Sequence, residues 1–381
     1  MKSIIFSIVR IGKRVLRLFL PEKISVRVIQ AARTMLIYYP KSITEYFRYV
    51  FRMLPNIIKL PFSRKIRHSN ELAIPIAPFV ECDGTLIPSD EMLLGSIANK
   101  GETCELVFCC AFTGRHRIIQ KIVEETLCSN EAQGVRWMLT GSTQEDEKFI
   151  RALSRKTRKV AGFIVENRPL GRKWQTCMYY ATRYYQSQLY GITGSDDIIS
   201  NKLVDYIIRR HRKNVELIKN PFFLPGMYGT LEWLVSHTNK QHALVPQIIK
   251  CSYRYDTAFE PLGAGRFYTR KFMEECDGFI FESNQERLLD DRGYFEVRNR
   301  GKSLEYYTIE DGPLISVKGD WVQLNSIGDF LSAKTLTLEE YSFAGYEHLN
   351  KSLSDATHKF LFKPAKVSLQ LNFSQIDTGI D

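Results

Sequence analysis

The sequence predicts an α/β protein whose mostly parallel central sheet is flanked by helices, with a basic helical extension at the N-terminus. Three observations predict it. Near-continuous apolar runs alternate with helical patterns from Cys104 to about Arg210. The ends of those runs carry glycine, hydroxyl and charged residues. The excess positive charge is confined to the first 68 residues.

The extension comes first. Over 3–19, Ile4, Ile5, Ile8, Ile11, Val15, Leu16 and Phe19 recur near helical spacing, opposite Arg10, Lys13, Arg14 and Arg17, until Pro21. Segments 24–38 and 42–54 repeat the mixture, with Tyr38, Tyr39, Tyr46, Phe47, Tyr49 and Phe51 in or beside them. Basic amphipathic helices with aromatics suit an anionic membrane surface, so 1–68 is expected to associate with one. The plainer alternative is that these helices pack on the folded domain or on a partner. No stretch approaches the ~18 uncharged apolar residues of a membrane span. Arg10 interrupts the first apolar run and no small-residue cleavage site follows, so a secretory signal is not expected either.

Residues 1–68 hold 15 Lys and Arg against Glu22 and Glu45. Residues 69–381 hold 38 Lys and Arg against 40 Asp and Glu, a net of −2. The remainder therefore lacks a basic footprint, and no nucleic-acid partner is expected. The eight cysteines form no CxxC pair and no zinc-type spacing, and several sit in apolar runs. A reducing, cytoplasmic compartment fits that usage.

Segment 69–103, with Pro75, Pro78 and Pro88, reads as an irregular linker. Then "CELVFCCAF" (104–112) is a buried strand, followed by "TGRHR" and a helical pattern through Ile118, Ile119, Ile122, Val123 and Leu127. Strands at 134–140, 159–167 and 187–194 alternate with helices over about 145–155, 174–186 and 198–210. Such alternation builds a parallel sheet through right-handed crossovers. After 220 come shorter pieces: strands, a glycine loop at 261–266 and a helix, with a further strand expected at 359–372.

Ligands of such sheets bind at the carboxyl ends of the strands. Those ends are Phe112–Arg117, Thr140–Ser142, Glu166–Lys173 and Gly194–Asp197. The adjacent Asp196 and Asp197 admit two readings. As a helix start, Ser195 would cap and the acids would favour the positive helix end. As a site, they would serve a metal and a phosphate. His116, His237 and His242 have no metal-ligand spacing, and "YYATRYY" (179–185) reads as a packed helix face.

Five motifs in this order resemble the nucleotide-sugar glycosyltransferases of the Rossmann-like GT-A fold, near the large inverting family 2. They are "ELVFCCAFTGRHRII", "VENRPLGRKWQTCMYYA", "ITGSDDII", "PLGAGRFYTRKFMEECDGFIF" and "LLDDRGYF". The resemblance spans roughly 104–300, within a catalytic domain placed at 104–315 and followed by an extension, 316–381, packing on it.

The resemblance implies transfer of a sugar from a nucleotide-diphosphate donor to a hydroxyl acceptor, with inversion. The acceptor would be a glycan or a lipid-linked molecule of surface polysaccharide or glycolipid synthesis, on the cytoplasmic face of the membrane. It implies nucleotide-sugar contacts from Phe112, Thr113, Arg117, Thr140, Asn167, Lys173, Ser195 and Asp196, with Arg115 and Arg168 as neighbours at those strand ends. Thr140 stands where the family places a base-reading acid. Gly263, Gly265 and Arg266 would form the acceptor and donor loop; Arg266 would be a phosphate fork, or else the partner of a structural acid.

Asp291 would be the general base, with Asp290 beside it, unless "DDRG" is merely a turn. Mg²⁺ or Mn²⁺ would be held by Asp197 and Asp196, since hard cations prefer carboxylate oxygen. Gly194 stands where the family's first DxD acid would be. Two other readings remain: a sugar nucleotidyltransferase, for which "AFTGRHR" offers only Gly114 in a loop expected to be rich in glycine and lysine, and a non-catalytic basic membrane-binding or nucleic-acid-binding scaffold.

Overall fold

The structure is a computed structural model. It describes residues 79–82, 85–95, 100–220, 223–237, 248–253, 260–282, 285, 289–318, 336–341 and 343–362. All of them belong to one unit, Ala73–Asp381. The basic extension expected over 1–68 lies outside the described residues.

In chain order the strands are β1 (Phe79–Cys82), β2 (Thr85–Pro88), β3 (Glu102–Ala111), β4 (Val135–Gly141), β5 (Val160–Ile164), β6 (Tyr185–Ile192) and β7 (Asp197–Ile199). They continue with β8 (Met227–Gly229), β9 (Glu232–His237), β10 (Ile248–Tyr253), β11 (Arg266–Thr269), β12 (Leu304–Tyr306), β13 (Leu314–Lys318) and β14 (Leu336–Glu340). The helices are α1 (His116–Thr126), α2 (Gln144–Thr157), α3 (Leu170–Tyr184), α4 (Asn201–Leu217), α5 (Arg270–Glu275), α6 (Leu289–Asn299), α7 (Phe343–Ser352) and α8 (Asp355–Phe362).

A seven-stranded sheet runs β12-β8-β11-β6-β3-β4-β5. Its β6-β3-β4-β5 half is parallel throughout, and the antiparallel β11 closes it on the β6 side. Strand β3 is buried on both faces. Leu106, Phe108 and Cys110 join one core with Ile119 and Ile122 of α1, Trp137 and Leu203 of α4, while Val107 and Cys109 join another with Cys177 and Met178 of α3. A strand covered on both faces needs a continuous apolar run, which is why 104–112 lacks polar alternation.

A second sheet runs β14-β10-β9-β13-β7. The chain enters it just after β6: within a few residues of Ile192, Asp197 pairs with Ser316 of β13. Helix α4 therefore does not begin at the acidic pair. Its cap is Ser200, whose Oγ accepts from the Leu203 amide at 3.2 Å, because Asp197–Ile199 are held extended by β13.

Three further expectations are corrected. Part of 69–103 is regular, since β1 and β2 form an antiparallel pair. The boundary expected at 315/316 falls inside β13. Over the described part of 359–372 the chain is helix α8, with Leu361 buried, and not a strand. Glu125 ties the last helices to the sheet: its buried carboxylate accepts from the Asn201 amide at the start of α4 and from the Ser354 amide and hydroxyl before α8. Two helix N-termini, each rich in unbonded amides, share one acid.

Candidate active site at the carboxyl edge of the large sheet

Strands β3, β4 and β6 end level with one another, with Ala111 opposite Thr140 and Cys109 opposite Ile192. The loops that follow meet there. After β3 the chain turns sharply, Gly114 at φ 64° and Arg115 at φ 57°. A left-handed non-glycine residue is uncommon and needs its surroundings to hold it. The Gly114 amide donates to Asp146 Oδ1 at 2.9 Å, and the His116 ring lies 2.7 Å from the same oxygen. The other oxygen accepts from the amides of Ser142 at 2.8 Å and Thr143 at 3.0 Å.

Thus one buried carboxylate caps α2 and fixes the loops after β3 and β4 together. Burial pushes the Asp146 carboxyl upward, but the donors from Ser142, His116, Gly114 and Thr143 outweigh it and hold it below its ordinary value. The His116 ring stacks on Phe149, centroids 4.7 Å apart.

Lys173 reaches the site from α3. Its ammonium is buried and donates to the Phe112 carbonyl, to Thr113 Oγ1 at 3.0 Å and to Asn167 Oδ1 at 3.3 Å. Thr113 Oγ1 donates to the same amide oxygen at 2.7 Å. An ammonium only donates, so it also fixes which way the Asn167 amide points. Desolvation pushes the Lys173 ammonium down to about 8, despite the opposing field of Asp146.

Asp196 and Asp197 follow β6 at the same edge. Asp196 Oδ2 accepts from Lys318 Nζ at 2.8 Å, and Asp196 Oδ1 stands 3.8 Å from the Arg115 guanidinium. Arg115 also donates to Ser195 Oγ at 2.7 Å. The Asp196 carbonyl accepts from the Val317 amide at 2.7 Å, so β13 grips this residue by backbone and side chain. Asp197 is buried; its Oδ1 accepts from Ser316 Oγ and its carbonyl from Thr193 Oγ1 at 2.8 Å. A Cβ at Gly194 would lie 2.1 Å from Asp197 Oδ2, so the third carboxylate has no room here.

Several expected contacts fall elsewhere. The Phe112 side chain is core, packed edge-on to Phe149. Arg117 is exposed and lies over the Phe360 ring at 5.3 Å, on α8, so Arg115 is the arginine of this loop that meets the acids. Thr140 is buried and donates to the Lys173 carbonyl. Arg266 is buried on the carbonyls of Pro261 and Leu262 and on Glu260 at 2.9 Å, which makes it the partner of a structural acid and not a phosphate fork. Gly265, at φ 73°, abuts the end of β6 through its amide to the Ile192 carbonyl and has no space for a side chain against Tyr307; Gly263 precedes it in the loop.

Asp290 and Asp291 lie in the first turn of α6, not in an isolated turn; the Asp290 side chain is outside the described residues. Before α6, the Gln285 carbonyl accepts from the Gly171 amide in the first turn of α3 at 2.8 Å. Lys318 and Ser316 were not foreseen. Their only signal is the two-residue polar alternation inside the apolar run "LISVK". A cleft of about 570 Å³ beside Gly95, Arg151, Arg155 and Arg158 lies at the far end of α2 from Asp146.

The donor set does not fit a divalent cation held by both acids. Asp196 is already neutralised by Lys318 and faced by Arg115, and the four groups Asp196, Asp197, Lys318 and Arg115 carry no net charge. An ion of charge +2 on these carboxylates would sit against two cations. Among the described residues, no group of three or more His, Cys, Asp or Glu side chains is arranged to hold a metal. Nor, among them, is any helix long and apolar enough to cross a membrane.

No protein-family model matches the chain, and no curated protein matches it. Solved structures similar to it include S. aureus TarS 1–349, at 10% identity over 56% of this chain and 60% of that one, with a TM-score of 0.37. The mannosyltransferase PcManGT from Pyrobaculum calidifontis in complex with GDP-Man and Mn²⁺ is 11% identical over 59% of each chain, TM-score 0.35. The chain thus spans less than two thirds of the length of either. A CMP:2-keto-3-deoxy-manno-octonic acid synthetase complexed with CTP is 11% identical over 57% of this chain and 90% of that one, TM-score 0.34.

Proposed function

We propose that the protein is a glycosyltransferase that moves a sugar from a nucleoside-diphosphate donor to a hydroxyl acceptor. One observation carries the reading: the four parallel strands β3 to β6 end together, and the loops after β3, β5 and β6 bring Thr113, Arg115, Asn167, Ser195 and Asp196 to one edge, joined by Lys318. Hydroxyls and an amide suit ribose and base, and fixed cations suit a diphosphate. The motif resemblance over 104–300 adds the sugar.

In the proposed reaction the acceptor oxygen attacks the anomeric carbon as the bond from that carbon to the diphosphate breaks. The acceptor proton passes to the Asp291 carboxylate, and the nucleoside diphosphate leaves. A single displacement of this kind inverts the anomeric centre. Asp290 would lie beside the base, and the Gly263–Gly265 loop would flank the sugars. The basic segment 1–68 would hold the enzyme on an anionic cytoplasmic membrane face, near glycan or lipid-linked acceptors.

The test is nucleotide release by the purified chain from a panel of UDP-, GDP-, ADP-, dTDP- and CMP-sugars. Release of a nucleoside diphosphate that increases with added acceptor is the expected result. Release from none of them would end the reading.

A further inference from the structure

The two cations that meet at Asp196 come from opposite parts of the fold. Arg115 follows β3 in the large sheet, and Lys318 ends β13 in the second sheet. Each is held in place by more than the acid between them. Arg115 is locked in a left-handed turn whose preceding amide is anchored on Asp146, and its guanidinium is anchored on Ser195. Lys318 is buried at the end of a strand that bonds to the backbone of Asp196. The arrangement is a preformed anion seat, occupied by a side-chain carboxylate of the chain itself.

We propose, building on the glycosyltransferase reading, that the donor diphosphate takes this seat. Arg115 and Lys318 then carry the charge that a divalent cation would otherwise neutralise, and Asp196 is the resident anion that the phosphate displaces. The chemistry favours it. As the bond to the anomeric carbon breaks, the leaving diphosphate gains one negative charge. A guanidinium and an ammonium fixed at that point stabilise the charge without rearranging.

Asp196 separates this inference from metal binding, because the two predict opposite effects of its removal. A metal ligand changed to Asn loses the metal and with it the nucleotide. A competing anion changed to Asn no longer competes with the nucleotide for the two cations.

Calorimetric titration of the full chain with UDP, GDP, CDP and ADP tests it, in EDTA and again with Mg²⁺ or Mn²⁺. Binding in EDTA within about three-fold of that with metal is expected. Lys318→Gln and Arg115→Gln should each weaken it about ten-fold or more, as loss of a charged hydrogen bond does. Asp196→Asn should bind at least as tightly as the unaltered chain. Thermal melts of each variant exclude unfolding, and the EDTA comparison needs no variant at all. Binding only when metal is present, or loss of binding in Asp196→Asn, overturns the inference and leaves the glycosyltransferase reading standing. No nucleoside diphosphate bound in either buffer overturns both.

Discussion

Lys318 and Asp196 are 122 residues apart in the chain and 2.8 Å apart in the fold. Their pairing joins the two sheets at the point where the chain passes from one to the other. Lys318 is buried and Asp196 mostly so, so this contact is less screened than a surface ion pair.

Adding the third acid should not help. A side chain at Gly194 meets Asp197 Oδ2 at 2.1 Å, so Gly194→Asp must displace the buried Asp197 from Ser316. Gly194→Ala should cost about 1–3 kcal/mol of stability through overpacking. Gly194→Asp should cost at least as much and gain no Mn²⁺ affinity, as read by denaturant melts and metal titration. A gain in metal affinity with unchanged stability would contradict the packing described.

Asp291→Asn tests the proposed base. It should lower turnover by about 10²–10⁴-fold while leaving the Kd of the nucleoside diphosphate within about two-fold. Steady-state rates and calorimetry on one preparation separate the effects. Unchanged turnover would reduce Asp291 to a first-turn acid that favours the start of α6.

Lys173 sets a pH dependence. Its ammonium is pushed down to about 8 in the fold, from the ~10.4 of an exposed lysine. Between those values the unfolded chain binds more protons, so this group makes stability rise as pH is raised from about 8 to about 10. The contribution is up to about 3 kcal/mol. Lys173→Met should remove that rise, so the difference in stability between the two proteins should shift in favour of the unaltered chain across the same window. Urea titrations at pH 7, 8, 9 and 10 measure it; parallel curves would refute it.

Glu125 supports the last helices. Glu125→Ala leaves the amides of Asn201 and Ser354 without their acceptor and should cost about 2–3 kcal/mol. Hydrogen exchange should show the protection lost at the starts of α4 and α8 before it is lost in β3. Uniform loss throughout would mean the helices do not depend on this acid.

Much of this architecture was legible in the sequence. The run 104–112 has no polar alternation because β3 is covered on both faces, and its continuity marked it as a central strand. Ser195 and Asp196 were visible because they follow an apolar strand at the edge where ligands of parallel sheets bind. Long-range partners were not. Nothing local to Asp196 announces Lys318, and β13 reads as an ordinary short strand. Side-chain direction was also hidden: Arg115 and Arg117 are two residues apart, yet one faces Ser195 and the other lies over Phe360. Arg266 followed a glycine loop, but the carbonyls and acid that bury it come from the same loop, close enough to claim it first.

Strand β13 also bears on how the protein matures. During synthesis the strands of the large sheet up to β6 emerge first, and the pairings among β3, β4, β5 and β6 all lie within residues 102–192. Until residue 318 has left the ribosome, however, Asp196 lacks its pair with Lys318, and β7 lacks its pairing with β13. A growing chain therefore owns the parallel strands of the large sheet before it owns both cations of the anion seat. The seat is complete only when the late-emerging strand docks and Lys318 reaches Asp196.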